Sequence, residues 1–119
     1  MAIEVLEHLE SPKKAASEIH RVLEPGGVAI LSVPFLFRIH GDPNDFQRLT
    51  KSGLRLLFED FADVEVAEFG NRLHVLSDLI TTALKFCIPL RLLNHVFWLK
   101  WLNAPSTDAP SGYIVILRK

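Results

Sequence analysis

Between Ser11 and Pro34 the chain carries an amphipathic helix, a Pro-Gly-Gly stop and an apolar run in direct succession, an order that few folds accommodate. Ser11 suits an N-cap, and Pro12 suits the first helical position, where its missing N–H costs nothing. Ala15, Ala16, Ile19, Val22 and Leu23 then fall on one helical stripe. Pro25, Gly26 and Gly27 end the helix and reverse the chain. The run Val28-Ala29-Ile30-Leu31-Ser32-Val33 shows no regular polar alternation, the pattern of a strand covered on both faces. A helix feeding such a strand is half of a doubly wound unit, so an α/β fold is predicted.

The residues that follow divide into short elements. Phe35 to Thr50 holds Gly, Pro, Asn and Asp and reads as a loop leaving the C-terminal end of the strand, where open α/β sheets bind ligands. It gathers His40, Asp42, Asp45 and Arg48 beside bulky aromatics, which marks it as the substrate-side loop. Thr50 is placed to cap a helix from Lys51 to about Asp60, with Leu54, Leu57, Phe58 and Phe61 facing the core. Asp63 to Phe69 alternates at first, as a partly exposed strand does, and Gly70-Asn71 turns the chain. Two oily helices are expected at roughly 72–87 and 90–102, divided by Pro89. Asp78, Lys85, Arg91 and Lys100 interrupt that stretch too often for a spanning helix. It reads either as a helical insertion over the sheet or, through Phe97, Trp98 and Trp101, as a lid in peripheral contact with a membrane. A polar, Pro-rich loop then leads to a last buried strand, Tyr113 to Leu117.

At 119 residues the chain makes one small domain, 1–119, with the helical insertion at 72–103. Thirteen basic residues balance fourteen acidic ones, so no basic stripe exists for nucleic acid. Cys87 is the single cysteine and lies in an apolar run, which fits a reducing, cytoplasmic setting and a buried thiol. Glu4, Glu7 and Glu10 stand where a secretion signal needs a basic start.

Chemistry concentrates at Glu4-Val5-Leu6-Glu7-His8. On a helix Glu4, Glu7 and His8 would share one face, and two carboxylates with an imidazole suit a divalent cation. Acidic residues ahead of a helix equally favour its dipole. His8 also suits a general base, since imidazole titrates near neutrality. Asp45 and Arg48 are spaced to pair across one turn or to grip a polar substrate. His20, His74 and His95 read as structural or solvated.

The run Glu4 to His8, Ser11-Pro12, Ile19-His20-Arg21-Val22-Leu23-Glu24-Pro25-Gly26-Gly27 and Ser32-Val33-Pro34 resembles the second half of a class I S-adenosylmethionine-dependent methyltransferase of the type 11 group. The segment His40-Gly41 through Arg48 and Thr50 is similar to one many such relatives carry. The resemblance implies a partial Rossmann-like methyltransferase fold: a small mixed sheet with helices packed on it and an apolar helical insertion. The last strand would run antiparallel between 28–33 and 63–69. It further implies that the family's Gly-rich cofactor loop belongs upstream, since the only adjacent glycines here, Gly26 and Gly27, follow a helix.

By the same resemblance S-adenosylmethionine is the cofactor, met by Glu4, Val5 and Leu6, with His8 as the catalytic residue. Phe35, His40, Asp45 and Arg48 would meet the acceptor, a small or lipid-linked hydroxylated metabolite. Some relatives, the ubiquinone-pathway and small-RNA 2′-O-methyltransferases, use a similar stretch for a metal; Glu4, Glu7 and His8 would be its ligands here, completed by His40 or Asp45. Residues 1 to 5 are too few for the strand the family places there. A frayed edge, or one paired with another chain or a second copy, is expected. The alternative function is a catalytically inactive remnant serving as an interaction or self-association module.

Overall fold

The structure, a computed structural model, describes residues 1–41, 44–83 and 105–119. Among these residues seven regular elements follow one another: β1 (Ala2–Ile3), α1 (Pro12–Val22), β2 (Val28–Pro34), α2 (Lys51–Leu57), β3 (Asp63–Phe69), α3 (Arg72–Ala83) and β4 (Gly112–Arg118). A 3-10 turn at Leu6–His8 joins β1 to α1. The strands form one mixed sheet in the order β1-β2-β4-β3. β4 runs antiparallel to both neighbours, with Val115 opposite Leu31 on one side and Val66 on the other. The last strand thus lies between 28–34 and 63–69, as expected.

One face of this sheet holds the core. Leu31, Val33, Val66, Val115 and Leu117 are buried there with Ala16 of α1, Leu54 of α2, and Phe58 and Phe61 just after it. Burying one such side chain is worth about 1.5–3 kcal/mol, so this face is a main source of stability among the described residues. β2 departs from the expectation of cover on both faces: Val28 and Ile30 are 52% and 40% exposed. Alternate residues of a strand point to opposite faces, so the helices over Leu31 and Val33 leave Val28 and Ile30 exposed on the other face. The Ala2–Ile3 segment also departs from expectation, since it pairs in parallel with Leu31 and Ser32 of its own sheet.

The local signals hold with small shifts. Pro12 opens α1 at its first position, but the Ser11 side chain makes no capping hydrogen bond. Thr50 caps α2 by accepting from the Gly53 N–H at 3.1 Å. That helix stops at Leu57 rather than Asp60, and Phe58 and Phe61 still reach the core. Asn71 caps α3 through Oδ1, which accepts from the N–H groups of Leu73 and His74 at 3.0 and 3.2 Å. The Lys119 ammonium donates to the His20 and Leu23 carbonyls at 2.6 and 2.8 Å, closing the end of α1 with a favourably placed cation. Of the two helices expected at 72–87 and 90–102, the first begins at Arg72 as expected. The second lies outside the described residues, with Cys87, His95, Phe97, Trp98 and Trp101. Among the described residues, no helix is long and apolar enough to cross a membrane.

Candidate functional site

The 3-10 turn and the loop after β2 are far apart in sequence and are tied together by four hydrogen bonds. The Phe46 N–H donates to the Glu7 carbonyl at 2.8 Å. The Gln47 side-chain amide donates to the carbonyls of Leu6 and Leu9 at 3.0 and 3.3 Å. His8 Nδ1 lies 2.6 Å from the carbonyl oxygen of Asn44. A carbonyl only accepts, so the His8 proton sits on Nδ1 and the Nε2 lone pair is left free. Gly41 (φ +108°) stands against the same ring, where a Cβ would fall on His8.

One carboxylate and two imidazoles converge inside this clamp. The Glu7 side chain is 2% exposed, and neither carboxylate oxygen has a hydrogen bond among the described residues. His8 Nε2 lies 3.6 Å from Glu7 Oε1, and His40 Nε2 lies 3.7 Å from the same oxygen. The His40 Nδ1 lies 3.4 Å from Asp45 Oδ2 and is buried without a hydrogen bond among the described residues. The two imidazoles meet edge to face with centroids 5.2 Å apart. One ligand atom from each of Glu7, His8 and His40 lies within 4.8 Å of the others. A buried carboxylate without a hydrogen bond, faced by two imidazole nitrogens, calls for a positive charge among them: a proton or a cation. Burial, with the nearby Glu4, pushes the Glu7 carboxyl up from its ordinary range, against the pull of its backbone and of the two histidines.

Behind His40 the loop is fixed by a buried ion pair. Both Asp45 oxygens accept from the Arg48 guanidinium, the second at 2.6 Å, and Asp45 also accepts the His40 backbone N–H at 2.9 Å. The Arg48 guanidinium holds the Asp45 carboxyl well below the usual carboxylate range. Arg48 further donates to the Arg38 and Gln47 carbonyls. Asp45 fixes His40 by accepting its backbone N–H and stands 3.4 Å from its ring Nδ1.

The other residues singled out from sequence fall elsewhere. Glu4 is not on a helix with Glu7: its backbone is left-handed (φ +51°), and its Oε1 accepts from the Ser32 hydroxyl at 2.9 Å. Val5 is exposed, while Leu6 is buried in the core. Phe35 packs on Tyr113 with ring centroids 5.4 Å apart and belongs to the core side. Sequence reasoning passed over Gln47, the Asn44 carbonyl and Ser32, whose roles depend on which loops meet. Phe37 was missed as well; its ring stands edge-on to His40, with centroids 5.2 Å apart.

The site lies where β1 and β2 end, and its first half sits in a recognisable stretch. The family profile described as a methyltransferase domain matches residues 1–31. Over that stretch the chain is similar to a methyltransferase domain. That span holds Glu4, Glu7, His8, α1 and the start of β2, whereas His40, Asp45 and Arg48 lie beyond it. It supports a methyltransferase-like function. No curated protein and no solved structure matches the chain significantly.

Proposed function

We propose that the chain forms the substrate-side portion of an S-adenosylmethionine-dependent methyltransferase, in which Glu7, His8 and His40 bind one divalent cation at the acceptor end. The observation that carries this reading is the Glu7 carboxylate, buried without a hydrogen bond and faced by two imidazole nitrogens, within the span the methyltransferase profile matches. A carboxylate with two imidazoles suits Mn²⁺, Fe²⁺, Co²⁺ or Zn²⁺ better than an all-oxygen ion such as Ca²⁺.

When bound, the cofactor supplies an electrophilic methyl group and the cation a Lewis acid toward an acceptor oxygen. The chain's own part is positioning. Asn44 holds the His8 ring so that Nε2 faces inward, where it would serve as a ligand. Asp45 and Arg48 hold His40, and Gln47 keeps the loop on the 3-10 turn. Glu4 and Val5 stand at the end of β1, on the side of a parallel pair where ligands bind. The acceptor is a small or lipid-linked hydroxylated metabolite.

Calorimetric titration with S-adenosylhomocysteine, with and without Mn²⁺, tests the reading. Binding at micromolar strength, tightened by the ion, is expected. A second reading, a non-catalytic module that pairs through its sheet edge, is favoured by Val28 to Ile30, which β1 leaves unpaired on one side. Absence of binding at millimolar ligand, with or without Mn²⁺, would favour that second reading.

A further inference from the structure

A cavity of about 370 Å³ opens beside the Glu7 group, at the ends of β1, β2 and β3 and under α3. Its size fits a molecule of one ring or a short chain, at the low end of small-molecule pockets. Phe37 and Phe69 contribute aromatic lining, and Glu4, Ser32, His74 and Asp78 contribute polar atoms. Phe37 is shared, since the ring that lines this cavity also stands edge-on to His40.

Among the described residues the charged lining has one sign. Glu4 and Asp78 bring carboxylates, and among the described residues no lysine or arginine lines the cavity. His74 Nδ1 is 3.0 Å from Asn71 Oδ1, an atom that already accepts two backbone N–H groups. The His74 proton therefore sits on Nδ1, and Nε2 is a further acceptor. Asp78 lies 4.0 Å from Arg38 at the rim, so Glu4 is the charge that the cavity itself leaves to a ligand. The Ser32 hydroxyl occupies Glu4 Oε1 and leaves the second oxygen without a hydrogen bond among the described residues. Glu4 is also the one non-glycine residue with positive φ among them, a conformation costing roughly 1 kcal/mol that recurs at ligand sites.

We infer that this cavity binds a small organic ammonium with an apolar body, its charge on Glu4 and its carbon skeleton against Phe37 and Phe69. Aromatic faces beside a carboxylate attract such a cation and give no comparable gain to a neutral or anionic analogue. Arg38 already illustrates the affinity of the Phe37 face, its guanidinium carbon lying 5.6 Å from the ring centroid. The inference deepens the methyltransferase reading by naming a chemical class for its ligand. The binding itself stands or falls separately.

The test titrates the whole chain with 2-phenylethylammonium and with the neutral 2-phenylethanol, following amide shifts of Ser32, His74 and Val75 by NMR. The amine is expected to bind at least tenfold more tightly than the alcohol, and Glu4→Gln to remove that preference. Glutamine keeps an oxygen for the Ser32 hydroxyl, and the comparison of amine with alcohol on the unaltered chain needs no variant. Equal binding of amine and alcohol, no binding of either, or full amine binding by E4Q overturns the inference. Adding S-adenosylhomocysteine then separates the two sources of such a cation. Displacement of the amine assigns the subsite to the cofactor's ammonium end, and simultaneous binding assigns it to the acceptor. Amine binding without any S-adenosylhomocysteine binding keeps the subsite and removes the methyltransferase reading.

Discussion

The Nδ1 of His8 lies 2.6 Å from the carbonyl oxygen of Asn44, and this contact sets which face of the imidazole is available. With its proton committed there, His8 turns an unprotonated Nε2 toward the buried Glu7. The loop after β2 thus decides the chemistry of a residue that comes before α1.

Gly41 guards that geometry. It has a positive φ of 108°, and a Cβ there would fall on the His8 ring. Gly41→Ala is expected to cost about 1–3 kcal/mol in urea unfolding, through backbone strain and the displaced ring. It should also weaken Mn²⁺ binding at least tenfold, because outer-support changes of this kind cost 10–100-fold.

Glu7 is expected to weaken the metal-free fold. Its carboxyl is pushed up by burial, so the folded protein holds the proton more tightly than the unfolded chain. The stability linked to Glu7 is therefore fully present below its unfolded value and lost as pH rises through the folded one. Glu7→Gln removes that loss, and its amide can donate to an imidazole lone pair. Without metal, the variant should be more stable than wild type at pH 7 by about 1–2 kcal/mol in urea unfolding, with the difference closing toward about pH 4. With Mn²⁺ the order should reverse, since only wild type gains stability from the ion.

Asp45 behaves in the opposite way. Its carboxyl is held well below the usual range by Arg48, so its contribution is present above the unfolded value and lost only as pH falls through the folded one. Asp45→Asn leaves a largely buried guanidinium without its partner and is expected to cost roughly 2–3 kcal/mol between about pH 5 and 8. His40 would lose its orientation as well. Thermal unfolding across pH, read with Mn²⁺ affinity, measures both effects.

The long edge at Val28 to Ile30 predicts self-association. β1 covers only Leu31 and Ser32, and the exposed Val28 and Ile30 lie beside backbone groups left unpaired there among the described residues. The far edge, β3, carries Asp63, Glu65 and Glu68, charges that discourage pairing. Light scattering at micromolar concentration should show a dimer or larger species, and Ile30→Lys should shift it toward monomer. A monomeric wild-type chain would contradict this.

Much of the fold was legible because its signals are local. Pro12, the Pro25-Gly26-Gly27 stop, Thr50 and the apolar run at 113–117 each report a boundary through their own backbone chemistry. The exposure of Val28 and Ile30 was not legible, since a run of apolar residues does not tell which face has a partner. At the site, Glu7, His8, His40 and Asp45 stood out by residue type. Glu4 was assigned to their cluster on helical spacing that does not form, because a left-handed Glu4 ends β1 and only a short 3-10 turn follows. Gln47 and Asn44 act through contacts across the clamp, and neither composition nor periodicity encodes which loops will meet.

Calorimetric titration of the chain with Mn²⁺, run in parallel on wild type and His40→Ala, tests the central claim most directly. One ion per chain at micromolar strength in wild type, weakened at least tenfold in the variant, is the predicted result. No heat at millimolar Mn²⁺, or equal binding by both proteins, would contradict a cation site at Glu7, His8 and His40.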